Sequence, residues 1–165
     1  MMQSTRVWLS LGSNIEREKN IRAAVSTLQR MFGHLILSSV YEGEAVGFQG
    51  APFFNMVVGL ETDRGPLELV ALFRGIEFDQ GRKRGTDKFA PRSIDIDLLT
   101  YGDQVIQSDQ LSLPRDEITR YSFVLLPLAE VAGEERHPPT GLSYRELWQR
   151  FDQASQPLQP VNIDL

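Results

Sequence analysis

Two aspartates one residue apart, Asp95 and Asp97, constrain the chain more than any other feature. They lie in Pro91-Arg92-Ser93-Ile94-Asp95-Ile96-Asp97-Leu98-Leu99-Thr100-Tyr101. Apolar and β-branched residues alternate with polar ones there, and a proline stands at the entrance, which is the pattern of a β-strand. Side chains at i and i+2 share a face of a strand, so Asp95 and Asp97 point one way and Ile94, Ile96 and Leu98 the other. Their roots would lie roughly 6–7 Å apart, from a rise of ~3.3 Å per residue. Two like charges so close on a mostly buried sheet lose hydration and repel each other. A divalent cation offsets both costs, and hard carboxylate oxygens suit Mg²⁺. A pair of solvent-facing aspartates on a half-exposed sheet is the plain alternative. The segment just before the strand favours the metal. From Gly81 to Arg92 it carries five basic residues (Arg82, Lys83, Arg84, Lys88, Arg92) against one acid, Asp87. A cationic, glycine-bounded loop feeding an anionic strand suits a polyphosphate: the metal clamps oxygens and the arginines take the remaining charge.

The rest of the composition narrows the partners. A chain of 165 residues with 41% hydrophobic and 24% charged residues is expected to form one soluble domain, 1–165. A net charge of −5 argues against nucleic acid, which calls for a broad basic surface. There are no cysteines and only two histidines, His34 and His137. Thiolate metal sites are thereby excluded, and a histidine-built metal site or a Ser/His triad is poorly supplied. With no apolar run near the ~20 residues of a membrane span and no signal-peptide pattern, a cytoplasmic location is expected.

In chain order, Arg6–Gly12 reads as a first strand. Ser13-Asn14-Ile15-Glu16 has the form of a capping box opening a helix. Ile21, Ala24, Val25, Leu28, Met31 and Phe32 form that helix's apolar stripe, and Gly33 closes it. Leu35–Tyr41 and Phe53–Thr62 read as two strands pairing antiparallel across a glycine-rich loop, Glu42–Pro52. Asn55, polar in an apolar strand, calls for a buried partner or a ligand. Pro66 begins a second helix with Leu69, Val70, Leu72, Phe73 and Ile76 facing the core and Gly81 at its end. Glu77 on it is expected to be solvated. After the aspartate strand, Val105-Ile106 reads as a short edge strand. Phe123–Ala132 reads as a buried helix that restarts at Pro127. Ser143-Tyr144-Arg145-Glu146 is a second capping box, and the tail of about 153–165 is expected to be loosely held. The order β-α-β-β-α-β gives a ferredoxin-like α+β fold, an antiparallel sheet with two helices on one face.

Such a fold names no function. The chain has neither Gly-x-x-x-x-Gly-Lys-Ser/Thr nor Gly-x-Gly-x-x-Gly, so phosphates would be held by the aspartates, metal and loop arginines. From spacing alone, Mg²⁺-dependent transfer or hydrolysis at a polyphosphate follows, with nucleotidyl transfer as a rival.

The stretch Pro91-Arg92-Ser93-Ile94-Asp95-Ile96-Asp97-Leu98-Leu99 closely resembles the hallmark of the 6-hydroxymethyl-7,8-dihydropterin pyrophosphokinases. The resemblance extends to Leu11-Gly12-Ser13-Asn14, Phe54-Asn55, Glu77, Gly81-Arg82 and Phe123-Val124-Leu125 with Pro127-Leu128. It implies transfer of diphosphate from ATP to the alcohol of a reduced pterin, with release of AMP, in folate synthesis. It further implies two Mg²⁺ on Asp95 and Asp97, with Arg82, Arg84 and Arg92 neutralising phosphates. Asn55 would bond the pterin edge and Phe123 would stack on its ring. Gly47 in the Glu42–Pro52 loop, Phe53 and Phe89 would complete the substrate pocket. Glu77, Leu98, Ser112 and Arg115 would lie near the nucleotide. The family commonly has a histidine where Arg115 stands and a tryptophan where Phe89 stands. Arg115 and Arg120, both permanently charged, would substitute electrostatically. The implied partners are small molecules, ATP and the reduced pterin, with no nucleic acid or membrane and a monomer favoured. A non-catalytic pterin- or nucleotide-binding relative is the alternative.

Overall fold

The computed structural model describes residues 4–44, 50–81 and 93–165. The elements are β1 (Thr5–Ser13), α1 (Arg17–Phe32), β2 (Ile36–Leu37), β3 (Val40–Gly43), β4 (Phe53–Thr62), α2 (Pro66–Asp79), β5 (Asp95–Tyr101), β6 (Ile106–Gln107), β7 (Ser112–Leu113), α3 (Glu117–Arg120), α4 (Ser122–Ala132), α5 (Tyr144–Arg150) and β8 (Gln159–Val161). The main sheet runs β5-β1-β4-β3-β8, with β2 also paired to β4, and every pairing is antiparallel. The expected ferredoxin-like core is therefore present, extended by one strand.

Alternation along the central strands splits the apolar residues between two cores. Val7, Leu9 and Leu11 of β1 join Phe54, Met56, Val58 and Leu60 of β4 under α1 and α2. Trp8 and Val57, on the opposite face, pack with Val124, Leu125 and Leu128 of α4 and Tyr144 of α5. Trp8 lies directly over Gly59, where a Cβ would collide with its ring. In β5 the register against β1 shifts between Trp8 and Leu9. With Leu99 as the extra residue, that bulge lets Leu98 and Tyr101, three residues apart, both face the first core, while Leu99 packs in the second.

Several local expectations are corrected. Ser13 does not cap α1: it ends β1, paired with Phe54, and its Oγ donates to the Ile15 carbonyl at 3.0 Å. The helix starts instead after Glu16, in a left-handed conformation with φ 39°. The ladder to β4 holds Ser13 in the strand and out of capping position. The single strand expected at Leu35–Tyr41 is broken at Ser38-Ser39. Ser38 Oγ accepts the Val57 N–H at 2.8 Å, while Ser39 turns its N–H and Oγ to the Glu130 carboxylate on α4. The pairing with β4 slips by one residue across this step, from Leu37↔Val58 to Tyr41↔Asn55. The α4 helix runs unbroken through Pro127, which forfeits only the bond to the carbonyl four residues back, near the helix start. The short strand β6 pairs with β7 in a separate two-stranded sheet rather than at the main sheet's edge. The tail, finally, is docked. Its β8 pairs with β3 (Val40↔Val161), covering an edge that would otherwise present open N–H and C=O groups. Gln156 fastens it, accepting the Ser122 N–H and donating to the Arg120 carbonyl, both at 3.0 Å. The capping box at Ser143 and Glu146 forms as expected.

Candidate functional site

The register of three strands builds the site. Gly12 in β1 lies opposite Asn55 in β4 on one side and opposite Asp95 in β5 on the other. Residues directly opposite in an antiparallel sheet point to the same face, so Asn55, Gly12 and Asp95 form one row across it. Tyr41 in β3, opposite Asn55, extends the row. Two residues along, Ser10 stands opposite Asp97. This is the face turned away from α1 and α2. At strand spacings of about 4.8 Å, Asn55 and Asp95 are about 10 Å apart across a floor with no side chain at its centre. That floor is bare by necessity: a Cβ on Gly12 would meet Asn55 Oδ1 at 2.8 Å. Asn55 is 5% exposed, and among the described residues its amide forms no hydrogen bond. The sequence calls for a partner or a ligand there, and the structure sets the Asn55 side chain beside the bare glycine of this row.

Asp95 and Asp97 share the face while Ile94, Ile96 and Leu98 point into the core, as the alternation requires. The Asp97 side chain retains 34% of its exposure, enough for a ligand to reach it. No group of three or more His, Cys, Asp or Glu side chains gathers as a metal cage among the described residues. Two hard carboxylates on one face nonetheless fit Mg²⁺, which keeps waters and takes its other oxygens from phosphate.

The edge of β5 is finished by a pair of side chains from α2. Glu77 is buried, contrary to the solvated helix glutamate expected, because its carboxylate replaces a missing neighbouring strand. Its Oε2 accepts the Ile96 N–H at 2.7 Å. Arg74, one turn earlier, donates Nη1 to Glu77 Oε1. Its Nη2 donates to the Ile96 carbonyl and to Asp97 Oδ1, both at 3.2 Å. Burial disfavours the charged guanidinium, but the hydrogen bond and charge of Glu77, with Asp97 beyond, outweigh it and raise the Arg74 pKa. The sequence reading missed Arg74. Its signal was available: a cation three residues before a helix glutamate is a ready ion-pair partner.

Around this row, Arg17 ties down the chain that leads to and from the 45–49 segment. Its Nη1 donates to Glu42 Oε2 at 2.6 Å and to the Pro52 carbonyl at 3.1 Å, and its guanidinium lies 3.9 Å from the centre of the Phe54 ring. Asn14 Nδ2 reaches the Ala51 carbonyl at 3.3 Å. Phe53 is half-buried beside Gly12, with its Cδ2 3.6 Å from where a Gly12 Cβ would be. Phe123, half-buried in the first turn of α4, stacks on Tyr121 with ring centres 5.1 Å apart. Tyr41 donates to Glu130 Oε1 at 2.9 Å, and burial together with that carboxylate pushes its pKa up to about 12. Leu98 is 3% exposed and belongs to the core, so only its backbone can meet a ligand. Ser112 is exposed on β7. Arg115 donates Nε to Glu117 Oε2 at 2.8 Å, so its charge is already partly engaged. Arg82, Arg84, Arg92, Phe89 and Gly47 lie outside the described residues.

Residues 8–133 match the family model described as 7,8-dihydro-6-hydroxymethylpterin-pyrophosphokinase (HPPK). The chain is 38% identical over 131 residues to the 2-amino-4-hydroxy-6-hydroxymethyldihydropteridine pyrophosphokinase of Bacillus subtilis, covering 77% of this chain and 78% of that one. It is 34% identical over 137 residues to the enzyme of the same name from Pseudomonas aeruginosa, covering 81% and 84%. It is 35% identical to the folic acid synthesis protein of Pneumocystis carinii, spanning 93% of this chain but only 21% of that longer one. Among solved structures, the wild-type Plasmodium falciparum HPPK-DHPS with pterin and p-hydroxybenzoate superimposes with a TM-score of 0.72 at 16% identity, over 90% of this chain and 42% of that chain. At that identity the likeness is one of fold.

Proposed function

The chain belongs to the 7,8-dihydro-6-hydroxymethylpterin-pyrophosphokinase family, and from that premise we propose that it transfers diphosphate from ATP to 6-hydroxymethyl-7,8-dihydropterin, releasing AMP. The hydroxymethyl oxygen bonds to the β-phosphorus as the bond from that phosphorus to the α,β-bridging oxygen breaks. AMP leaves with the bridging oxygen, and the alcohol proton passes to solvent. The observation that carries the reading is the row Asn55–Gly12–Asp95. A flat bicyclic ring laid on the bare glycine has an amide at one end to recognise its edge. At the other end stands the acidic pair, where the reacting alcohol belongs.

Asp95 and Asp97 would hold two Mg²⁺, which when bound would supply charge neutralisation for both sides of an in-line displacement. Asn55 bonds the pterin edge and Phe123 stacks on the ring. Phe53, with Gly47 and Phe89, completes the pocket. Arg82, Arg84 and Arg92 take the phosphate charge and help exclude water, the competing nucleophile. Glu77 contributes through the edge of β5, Leu98 through its backbone, and Ser112 and Arg115 from the nucleotide end. The protein would act as a monomer in the cytoplasm. No helix among the described residues is long and apolar enough to cross a membrane.

The test is product identity. With ATP, Mg²⁺ and the hydroxymethyl dihydropterin, AMP and the pterin diphosphate should form in equal amounts. ADP as the product, or pyrophosphate release with a nucleotidylated pterin, would reject the reading. Tight pterin binding with no product would indicate a binding protein instead.

A further inference from the structure

We infer that Arg74 is a positioning residue that holds Asp97 by one carboxylate oxygen and weakens the acidic pair's hold on a free divalent cation. This inference rests on the reading above that Asp95 and Asp97 bind the metal. Three acceptors fix the Arg74 guanidinium: Glu77 Oε1, the Ile96 carbonyl and Asp97 Oδ1. Glu77, the anchor of that clasp, is 1% exposed and is itself held by the Ile96 N–H at 2.7 Å. The cation is thus built into the edge of β5, with its planar fork matched to its acceptors. Its Nη2 stands 3.2 Å from Asp97 Oδ1 and leaves Oδ2 for another ligand.

The consequence is electrostatic. A metal on the second oxygen would lie about 5–6 Å from the guanidinium, given a metal–oxygen bond of ~2.1 Å. A unit positive charge at that distance from a dication weakens its binding about tenfold even in high-dielectric surroundings. The Glu77 carboxylate, on the far side of the guanidinium, offsets only part of this, so Arg74 lowers the pair's pull on a bare divalent ion.

The probe is Mn²⁺ alone, titrated into the nucleotide-free protein and followed by electron paramagnetic resonance. Arg74→Gln should bind free Mn²⁺ about tenfold more tightly than wild type. Arg74→Lys, which keeps the charge but not the fork, should stay within threefold of wild type. Unchanged or weaker binding in a folded Arg74→Gln protein would overturn the inference. Should Arg74→Gln fail to fold with Glu77 left unpaired, Arg74→Gln/Glu77→Gln keeps the amide of residue 77 on the Ile96 N–H and should still bind more tightly than wild type; equal or weaker binding overturns the inference there too. Asp97→Asn separates the two failures. If it binds Mn²⁺ as wild type does, the metal assignment itself falls. If it binds more weakly but Arg74→Gln gains nothing, only the role of Arg74 falls.

Discussion

Substituting alanine for Gly12 puts the pterin floor to a direct test. The new Cβ would lie 2.8 Å from Asn55 Oδ1, well inside ordinary contact, while its next neighbour, Phe53 Cδ2 at 3.6 Å, is at normal distance. Only the Asn55 side chain has to move. No positive φ forbids a side chain at residue 12, since among the described residues the positive-φ glycines are 33, 81, 102 and 141. The strand should therefore tolerate alanine. Alanine gains about 0.5–1 kcal/mol over glycine in a strand interior, and a displaced Asn55 rotamer costs about 0.5–1.5 kcal/mol. Net stability should change by about 1 kcal/mol or less in urea unfolding. Binding should suffer far more. Two hydrogen bonds from a misplaced amide, at about 1 kcal/mol each, weaken pterin binding about 30-fold. Calorimetric titration of the reduced pterin, with a non-hydrolysable ATP analogue present, reads this directly. Asn55→Ala should give a similar loss, and the double variant should not add the two, because both act through one amide. Pterin affinity within threefold of wild type in a folded Gly12→Ala protein would refute the placement of the ring on this row.

Other consequences follow from the same geometry. Glu77→Ala leaves the Ile96 N–H and Arg74 without their buried acceptor and should lower the unfolding free energy by about 3 kcal/mol; a loss below about 1 kcal/mol would contradict the clasp. Asp97→Ala should abolish product formation while leaving pterin affinity within about threefold, since the proposed ring contacts, Asn55 and Phe123, are untouched; retained turnover would contradict the role of the pair. Burial lowers the pKa of His137, whose Nδ1 faces Thr140 Oγ1 at 2.9 Å. The unfolded chain therefore takes up a proton at a higher pH than the folded one. The stability from the neutral ring is complete above about pH 6.5 and is lost as pH falls through the lower folded value. Denaturation midpoints should show this acid limb, and His137→Gln should flatten it.

Much of the architecture was legible because strand and helix periods are strong signals. Phe53–Thr62 is an apolar run with β-branched and aromatic residues and forms β4 with those bounds, and the alternation in β5 set the faces of Asp95 and Asp97 correctly. Other features depended on contacts far away in the chain. Ser13 looks like a cap until its pairing with Phe54 is seen. Ser38-Ser39 looks like ordinary strand until Glu130, on α4, draws Ser39 away. The tail carries prolines that suggest no structure, yet the open edge of β3 recruits it. Glu77 is the instructive case for the site. Its spacing says solvent, but the unpaired edge of β5 beside it makes burial favourable by offering a backbone N–H. Asn55 stands out in the sequence by its polarity alone, while the bare glycine opposite it emerges only from the register.

The account stands or falls on what gathers at the acidic pair. A crystal grown with Mn²⁺ and a non-hydrolysable ATP analogue gives the answer through the anomalous signal of the metal. Manganese at about 2.1 Å from oxygens of both Asp95 and Asp97, bridged to the β- and γ-phosphates, is the predicted result. A bound nucleotide with no ion at those carboxylates would contradict it.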